Sequence, residues 1–573
     1  MKTAISRERL TLVVILALAI APYFIGLGSS SLWDSNEAFY AETPREMIEA
    51  ADYVNPSFNY QPRFNKPPLS YWVVVLFYKA FGVSELSERI PIALGAIALV
   101  AAAFALARAI FSLEAATLSA IALAVSPRFL MFSRRIMIDV YLAMFMAAAL
   151  VFFVLAEKYP ERRRRFLALM YASIGFGALT KGPVAIMLPA IVFFIYLAAS
   201  RQLKKIRGMM VGRGAVIIAV IVLPWYVAVY SEHGWLYIKS FLLLDNISRY
   251  TQATWGPGRG PLFYLPVLIG DMFPWSLFLP AALWLQSSRS IKFIKSIRAS
   301  TKTDDQKDQN GIYKRESHAL LLIIWIIVIV GFFSLSRSKE DLYILPVYPA
   351  AAALVGGLLS GYIKQKLSPA WRRATVWTAA ILASIIALIG AAALYLFALT
   401  AHYNLAGTRI MAFVALAGGI AASGAALFKK PLIPLAITAV VFVTLNWIFA
   451  LQTLPDFERF KPVRPFCEMI KSEALADAQV GYYKFAAPSM VYYLRRPIFE
   501  YYRPEELQAA FSSGKAVYCL MTLQDYEAIK DSLPAPTYIL ASRPVFQVKL
   551  KVVLEKTEPP QVVLISNRDG ASS

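Results

Sequence analysis

The sequence predicts a polytopic α-helical membrane protein with a small C-terminal α/β domain outside the membrane. Of its 573 residues, 58% are hydrophobic and 16% are charged, which is more apolar than a soluble protein of this length. Apolar stretches near the ~20 residues needed to cross a bilayer recur along the first four-fifths of the chain. The loops between these stretches alternate between strongly and weakly basic, as in a chain that crosses the membrane repeatedly.

About thirteen transmembrane helices are predicted from the apolar stretches. They lie at residues 10–28, 89–111, 114–127, 139–157, 166–180, 183–199, 214–231, 262–285, 319–335, 342–362, 374–400, 408–428 and 432–451. The first stretch has no small-residue cleavage site, so we expect a retained anchor helix.

The distribution of lysine and arginine predicts the orientation. Basic clusters occupy residues 2–9, 158–165, 201–213, 289–298, 364–373 and 429–430, which fall in every second loop. Because short cytoplasmic loops are enriched in these residues, we expect a cytoplasmic N-terminus and an external C-terminal domain. This topology also explains the net charge of +22 and predicts membrane lipid, not nucleic acid, as a partner.

Two domains are predicted. Residues 1–451 form the transmembrane domain, which includes a long first external loop, 29–88, with juxtamembrane helices. Residues 452–573 form the external α/β domain, because strand-like runs such as "AVYCLMT" and "VFQVKLKVVLEK" are interspersed with helical patterns such as "RPEELQAAF". The polar segment 286–317 is expected in a cytoplasmic loop.

Cysteine and histidine content limits the possible chemistry. Cys467 and Cys519 both lie in the external domain, where either a disulfide or two buried free thiols is compatible with the sequence. The three histidines are scattered and show no metal-ligand spacing. No glycine-rich phosphate loop follows a predicted strand. The sequence therefore predicts neither a metal site nor a cofactor.

Cations on the external side are unexpected under the positive-inside rule. They are Lys66, Arg134, Arg135, Lys181, Arg249 and Lys339. Either they snorkel to phospholipid headgroups, or they bind an anionic ligand near the outer membrane surface. Asp139, at the start of the fourth predicted span, is a carboxylate at membrane depth and is expected to be paired, solvated or functional.

The stretch "LWDSNEAFYAETPREM", at the mouth of the first span, contains four acidic residues, and Glu49 follows it closely. Glu42, Arg45, Glu46 and Glu49 fall at i, i+3 and i+4 spacings, which favours local pairing on a solvated helix face. Asp34 and Glu37 precede them, and no nearby basic residue in the sequence is placed to pair with both. They are therefore the candidate catalytic acids of this loop.

Seven segments, taken in order, resemble one family. They are "WDSNEAFYAETPREM", "PRFNKPPLSYW", "SRRIMIDVYLAMF", "LTKGPVAIMLP", "GPLFYLPVLIGDMFPW", "SRSKEDLYILPVYPA" and "VGYYKFAAPSMVYYLRRPIFEYY". This set is similar to bacterial relatives of the protein O-mannosyltransferases, nearest the lipid A aminoarabinose transferase branch. The resemblance implies a GT-C glycosyltransferase that takes a sugar from a polyprenyl-phosphate donor on the external side.

The resemblance also implies roles for individual residues. An acid at the end of the first span, Asp34 or Glu37, would serve the acceptor, and Asp139 matches the second acidic position. Lys66 would contact the donor phosphate, with Lys181, Arg249, Lys339, Arg134 and Arg135 as further phosphate-binding candidates. Substrate-binding candidates are Tyr40, Arg63 and Tyr343.

The chain departs from the family pattern at two positions. Relatives commonly have Asp-Glu where this chain has Asn36-Glu37, so either Asp34 or Glu37 is the acid. The aminoarabinose enzymes tend to have glutamate in place of Asn65, which puts the donor sugar in doubt. Lipid A, lipopolysaccharide and another external acceptor all remain open. Protein O-mannosyl transfer and a lipid or sugar transporter or flippase are the alternatives, although we find no internal repeat of the kind that transporters often have.

Overall fold

The structure, a computed structural model, describes residues 13–252, 258–299, 310–399, 404–428, 432–473, 477–534, 536–546 and 558–569. Three of the sequence patterns lie at least partly outside these ranges: the N-terminal basic cluster, Lys429 with Lys430, and the centre of the polar segment 286–317. Most of the predicted strand "VFQVKLKVVLEK" lies outside them as well.

Helices make up most of the described chain. They are α1 (Val13–Tyr23), α2 (Asn36–Glu49), α3 (Leu69–Phe81), α4 (Glu85–Ile110), α5 (Leu113–Ala124), α6 (Pro127–Ser133), α7 (Ile138–Lys158), α8 (Arg163–Lys181), α9 (Val184–Ala199), α10 (Val211–His233), α11 (Trp235–Lys239), α12 (Arg249–Thr251), α13 (Tyr264–Asp271), α14 (Leu279–Ala299), α15 (Asn310–Leu335), α16 (Tyr348–Ile363), α17 (Pro369–Leu399), α18 (Thr408–Leu427), α19 (Leu432–Ile448), α20 (Leu454–Phe457), α21 (Val463–Glu473), α22 (Ser489–Leu494), α23 (Pro504–Phe511) and α24 (Leu523–Ile529). A π-helical turn, Ser240–Ser248, joins α11 to α12.

The predicted polytopic helical architecture is confirmed. Among the described residues, 8 helices are long and apolar enough to cross a membrane, or up to 10 if each of two bent helix pairs is one span. Each of the predicted apolar stretches overlaps a helix, and two of these helices, Val13–Tyr23 and Val184–Ala199, are shorter apolar helices of 10–17 residues. The count of about thirteen spans stays a prediction, because several of these helices are shorter than a bilayer is thick.

Small residues allow the central helices to pack closely. Helix α16 is buried along most of its length and lies against α5. A Cβ at Gly356 would lie 2.1 Å from Ser119 Oγ and 2.4 Å from the Ala115 carbonyl oxygen. Only glycine permits this approach, which is how membrane helices gain packing contacts in the absence of a hydrophobic driving force between them.

Several of the basic loops meet at one end of the helix bundle. Glu157, near the end of α7, lies 3.2 Å from Arg163 and also pairs with Lys205. Lys364 lies 2.7 Å from Glu114 at the start of α5. The first external loop does not take part in these contacts and instead contacts the C-terminal part of the chain, where Arg464 lies 3.5 Å from Glu85.

The first external loop folds into α2, a short hairpin and α3. The hairpin pairs β1 (Ser57–Phe58) with β2 (Gln61–Pro62). Arg45 lies 2.6 Å from both Glu42 and Glu49, so the predicted local pairing is confirmed. The expected solvated face is wrong for Glu42 and Glu46, which are buried, because the hairpin folds back over α2 and Ser57 donates to Glu46 at 2.6 Å.

The C-terminal part of the chain contains a five-stranded sheet with the order β4-β3-β5-β7-β6. Its strands are β3 (Gln479–Tyr483), β4 (Phe499–Tyr501), β5 (Val517–Thr522), β6 (Tyr538–Pro544) and β7 (Gln561–Ser566). Strands β3, β4 and β5 are parallel, whereas β7 runs antiparallel to β5 and β6. Helices α21 and α22 share an apolar cluster with one face of the sheet, and α23 and α24 share another with the opposite face. The division of the chain at residue 451 into two domains stays a prediction.

The two cysteines are not paired. Cys467 and Cys519 are both free and buried. Cys467 lies in the apolar cluster that contains Tyr518 and Leu520, whereas Cys519 points to the opposite face of β5. Alternation of side chains along the strand therefore separates the two thiols by the thickness of the sheet.

Candidate active site

A cavity of about 460 Å³ lies between the first external loop and the helix bundle. It is lined by the loop before α3, by α7, by the ends of α8 and α15, and by the π-helical turn with α12. The fold brings five sequence-predicted site residues into its wall: Lys66, Asp139, Lys181, Arg249 and Tyr343.

Lys66 precedes α3 and reaches into the cavity. Its ammonium donates to Asp245 at 3.1 Å and to the Asn65 carbonyl oxygen at 2.8 Å. Its side chain is 11% exposed, and burial lowers the pKa of Lys66 to about 8 despite the opposing charge of Asp245. Tyr237 donates to the Lys66 carbonyl oxygen at 2.6 Å, which fixes the backbone of this loop.

Asp139 and Lys181 form an ion pair in the same cavity. Asp139 lies in the first turn of α7, where the helix dipole favours a carboxylate. Lys181, in the last turn of α8, pairs with it and lies 4.5 Å from the centre of the Tyr343 ring. The ion pair and the cation–π contact together hold the ammonium between α7 and the start of the segment Asp341–Val347.

The charges that line the cavity suit an anionic ligand. They are the three cations Lys66, Lys181 and Arg249 and the two carboxylates Asp139 and Asp245. Each carboxylate is paired with a lysine, whereas Arg249 makes no ion pair with any residue that the structure describes. The wall therefore carries one excess positive charge in a largely apolar cavity, and a guanidinium matches the geometry of a phosphate well.

Glu37 lies outside this cavity and is bonded on both carboxylate oxygens. One oxygen accepts from Arg89 Nε at 2.9 Å and from the Ile136 amide at 3.1 Å. The other accepts from Arg89 Nη2 at 2.9 Å and from the Trp33 amide at 2.8 Å. Burial opposes the ionisation of Glu37, but the charge and hydrogen bonds of Arg89 outweigh it and hold the pKa of this carboxyl below its usual value.

Asp34 binds the C-terminal part of the chain. Its carboxylate accepts from the Ser489 amide at 2.8 Å and from the Ser489 hydroxyl at 2.6 Å. It therefore connects the loop before α2 to the start of α22. The structure separates Asp34 and Glu37 from the main cavity, and their predicted catalytic role stays a prediction that the geometry does not favour.

Arg134 and Arg135 line a different and much smaller pocket, together with Arg89, Trp33 and Met131. Arg134 donates to backbone carbonyl oxygens of residues 22, 25 and 26. Arg135 lies 4.2 Å from the centre of the Trp33 ring. The structure thus divides the predicted phosphate-binding cations between two places, and these two arginines are not in the wall of the main cavity.

The remaining predicted residues surround the main cavity without lining it. Lys339 is buried behind the wall, where it donates to the carbonyl oxygen of Ser336, a lining residue. Tyr40 stacks on Tyr71 with ring centres 5.9 Å apart. The guanidinium of Arg63 lies 4.1 Å from the centre of the Phe39 ring.

Sequence reasoning missed Asp245 and Arg89, which pair with predicted residues, and Lys461, which contacts the same Trp33 ring as Arg135. Asp245 could have been found as an acid in the apolar run "FLLLDNISRY", four residues before Arg249. Arg89 is 52 residues from Glu37, and nothing local in the sequence links them. Lys461 lies 3.8 Å from the centre of the Trp33 ring and is more than 400 residues away along the chain, beyond the reach of any spacing argument.

Comparison with known proteins agrees with this architecture. Residues 65–227 match the family model described as dolichyl-phosphate-mannose-protein mannosyltransferase. Two crystal structures of ArnT from Cupriavidus metallidurans, one apo and one bound to undecaprenyl phosphate, align over 98% of both chains at 23% identity, with TM-scores of 0.76 and 0.75. The chain has the GT-C fold. The GT-C resemblance predicted from the sequence motifs, near the lipid A aminoarabinose transferase branch, is thereby confirmed.

Curated relatives cover a smaller part of this GT-C chain. The undecaprenyl phosphate-alpha-4-amino-4-deoxy-L-arabinose arabinosyl transferase of Pectobacterium carotovorum is 28% identical over 390 residues, which are 66% of this chain and 64% of that protein. The protein of the same name from Pseudomonas aeruginosa is 28% identical over 341 residues, 59% of this chain and 57% of that protein. The chain thus matches less than two thirds of the length of these relatives.

Proposed function

We propose that this protein is an integral-membrane glycosyltransferase that transfers a sugar from a polyprenyl-phosphate donor, of the undecaprenyl-phosphate type, to lipid A or lipopolysaccharide. The supporting observation is the main cavity, in which Lys66, Lys181 and Arg249 converge on one apolar space. An apolar wall with a few converging cations suits a lipid chain that ends in a phosphate.

The names of the relatives support the choice of donor. The relatives in Pectobacterium carotovorum and Pseudomonas aeruginosa are named as transferases that use an undecaprenyl-phosphate aminoarabinose, and one ArnT structure contains undecaprenyl phosphate. Asn65, where those enzymes tend to have glutamate, leaves the sugar itself open.

The chemistry is a direct displacement that inverts the anomeric carbon. The acceptor oxygen attacks this carbon while its bond to the phosphate oxygen breaks, and polyprenyl phosphate leaves as an anion. Lys66, Arg249 and Lys181 stabilise the negative charge that develops on the leaving phosphate. A hydroxyl acceptor must also lose a proton, for which Asp139 is the predicted acid in the cavity wall; a phosphate acceptor is already anionic and needs no base.

Protein O-mannosyl transfer is the second candidate. The observation that favours it is the family match over residues 65–227, whose description names a protein mannosyltransferase. The two candidates use the same donor cavity and differ in whether the acceptor is a lipid phosphate or a protein hydroxyl.

The test is a transfer assay with purified full-length protein in detergent. Radiolabelled undecaprenyl-phosphate aminoarabinose is supplied with lipid A, with an unstructured serine- and threonine-rich polypeptide, or with neither. The proposal expects label on lipid A and stoichiometric release of undecaprenyl phosphate. Label on the polypeptide alone would favour the second candidate, and transport of intact donor across a vesicle membrane without cleavage would refute both.

Two variants, Lys66→Ala and Asp139→Asn, test whether the main cavity is the site of transfer. Lys66→Ala should weaken donor binding by about tenfold or more, because a charge-assisted contact to the phosphate is lost. Asp139→Asn should lower turnover by about a hundredfold if the acceptor is a hydroxyl. Lys364→Ala is the matched control for Lys66→Ala, since this exposed lysine pairs with Glu114 at the other end of the bundle and should leave both quantities unchanged.

The proposed location is the bacterial inner membrane, with a cytoplasmic N-terminus and a periplasmic 452–573 domain. Two of the basic loops, 158–165 and 201–213, lie at the same end of the helix bundle, where Arg163 and Lys205 both pair with Glu157. This placement supports a cytoplasmic position for that end of the bundle. A cysteine introduced at exposed position Ser513 should react with a membrane-impermeant maleimide added to intact spheroplasts. Reaction only after the cells are lysed would reverse this orientation.

A further inference from the structure

A second cavity, of about 370 Å³, lies beside α6 and shares no lining residue with the main cavity. Two broken helices meet there. The chain bends by 71° between α5 and α6, and by 117° between α13 and the helix that begins at Trp275. Broken helices at membrane depth are tolerated where they are buried in protein or line a cavity. The other side of the cavity is formed by α18 and α19, at Met411 and Leu445.

Arginines stand at one side of this apolar cavity. Arg128 is part of the wall and its side chain is 41% exposed. It lies 3.4 Å from Asp271 and also pairs with Asp341. Met131 lines both this cavity and the small pocket of Arg134 and Arg135, so the two spaces are neighbours across one side chain.

Arg135 is the cation in this group that is available for a ligand. It makes no ion pair within the described part of the chain, and its Nε is buried without a hydrogen-bond partner. Its closest defined contact is the Trp33 ring. Burial lowers the pKa of Arg135, the charge of Glu37 raises it, and the charges of Arg128, Arg89 and Asp341 also act on it. Arg135 therefore lies between the charges of its own pocket and those beside the second cavity.

The segment Asp341–Val347 joins the two cavities. Its first residue, Asp341, pairs with Arg128 of the second cavity. Two residues later, Tyr343 lines the main cavity and contacts Lys181. A ligand with its polar end at Arg128 and Arg135 is therefore adjacent to the segment that carries part of the proposed donor site.

We propose that this second cavity binds an acyl chain of the acceptor, a phosphorylated glycolipid, whose phosphate contacts Arg135 with Arg128 beside it. The inference deepens the proposed function and rests on it for the identity of the acceptor. The apolar wall suits a hydrocarbon chain, because it holds few polar groups that such a chain would leave without a hydrogen-bond partner. The unpaired guanidinium supplies the complementary charge for a phosphate.

The proposed position also explains why two sites are needed. Donor and acceptor are both lipids, and each must bury its chain while its polar end reaches a common reaction zone. Two separate apolar cavities on either side of one short segment meet this requirement. A bulk phospholipid would bind Arg135 no more tightly than any other arginine at the membrane surface. The property to test is therefore whether the site binds the phosphorylated glycolipid more tightly than it binds a bulk phospholipid.

The first experiment fills the cavity. In Leu445→Trp the larger ring occupies the space beside Met411, whereas Leu388→Trp makes the same change on an α17 surface position that is 68% exposed. Radiolabelled lipid A binding to immobilised full-length protein in detergent should weaken about tenfold in Leu445→Trp and stay within about twofold in Leu388→Trp. Undecaprenyl-phosphate binding should be unchanged in both variants.

The second experiment tests the phosphate contact. Arg135→Gln should weaken binding of bisphosphorylated lipid A, and lipid A lacking one phosphate should bind the wild-type protein more weakly as well. If Arg135 binds the phosphate that is removed, the two losses are not additive, because the second change removes a contact that is already absent. The binding loss from Arg135→Gln is compared with the loss from removing the 1-phosphate and with the loss from removing the 4′-phosphate. If Arg135→Gln is fully additive with both removals, Arg135 contacts neither phosphate and the proposal is wrong.

The outcomes separate this inference from the proposed function. Equal binding losses in the two tryptophan variants, loss of donor binding in Leu445→Trp, or displacement of lipid A by equal amounts of phosphatidylglycerol would each overturn the second site. Binding of lipid A that depends on Leu445 and Arg135, in a protein that transfers no sugar, would support the site and refute the proposed function alone.

Discussion

Replacing Glu37 by glutamine should destabilise the protein strongly and leave the turnover of the remaining folded enzyme almost unchanged. Glu37 is the carboxylate that the family pattern suggests as a catalytic acid. In the structure, however, both of its oxygens are occupied by Arg89 and by two backbone amides. A carboxylate in that position holds together the loop before α2, the start of α4 and the segment before α7.

The size of the effect follows from burial. Both side chains of the Glu37–Arg89 pair are 1% exposed, and removing one partner of a buried ion pair costs roughly 3–5 kcal/mol. Arg89 also donates to the carbonyl oxygens of Leu27, Ser30 and Ser31, which remain in the variant, so we expect a loss near 3 kcal/mol. Glu49→Gln is the matched control: this glutamate also pairs with an arginine but is 52% exposed, and its loss should cost about 0–0.5 kcal/mol.

The assay compares thermal unfolding in detergent, followed by intrinsic fluorescence, with initial transfer rates measured well below the unfolding temperature of either variant. Glu37→Gln should unfold at a clearly lower temperature than Glu49→Gln, and both should transfer sugar at rates within about threefold of wild type. A Glu37→Gln variant as stable as Glu49→Gln but about a hundredfold slower would refute this reasoning and make Glu37 a catalytic acid.

Three further predictions follow from the same contacts. Burial lowers the pKa of Lys66 to about 8, so the side chain is positively charged below that pH and neutral above it. The value of kcat/KM for the donor should therefore fall as pH rises through about 8, and Lys66→Arg should abolish this fall. If the pH profile of Lys66→Arg is the same as that of the wild type, another group causes the fall. Asp34→Asn keeps one acceptor for Ser489 and should cost about 1 kcal/mol of stability with little change in turnover, and a large loss of turnover at unchanged stability would instead make Asp34 the acid. Cys467 and Cys519 are free and buried, so both should react with a maleimide only after denaturation, and the absence of free thiols in the denatured, unreduced protein would show a disulfide.

The architecture was predictable because hydrophobic length and the distribution of lysine and arginine are properties of the sequence itself. Every predicted apolar stretch coincides with a helix. The bends after Ala124 and Asp271 were not predicted, because a bent and a straight helix pair have the same apolar content. The local Arg45 pairs were also predictable, since residues three and four apart are neighbours on any helix, but the burial of Glu42 depends on a hairpin that returns from further along the chain.

Part of the candidate site could also be predicted from the sequence, because a charged residue beside an apolar helix is visible in the sequence itself. Lys66, Asp139, Lys181 and Arg249 were each conspicuous as charged residues beside apolar helices, Tyr343 was a candidate only through the family resemblance, and the fold places all five in the wall of one cavity. Arg134 and Arg135 were equally conspicuous and lie in another pocket. What distinguishes the two groups is which helices are neighbours, and neither composition nor spacing contains this information. Arg89 could not be predicted as the partner of Glu37, because an ion pair between distant segments has no sequence signal. Asp245 is visible as an acid in an apolar run, and only its pairing with Lys66 has no such signal.

The positions of the acids bear on the choice of acceptor. Asn36 replaces the family aspartate, Asp34 holds Ser489, and Glu37 holds Arg89, so the first loop offers no unengaged carboxylate at these three positions. The two carboxylates that line the main cavity, Asp139 and Asp245, each hold a lysine. A hydroxyl acceptor would need one of these carboxylates to accept a proton, which the neighbouring lysine ammonium disfavours. A lipid phosphate already carries the negative charge of the nucleophile and leaves both pairs intact. The proposed transfer to lipid A, with a phosphate of the acceptor bound by Arg135, therefore requires none of these carboxylates to accept a proton.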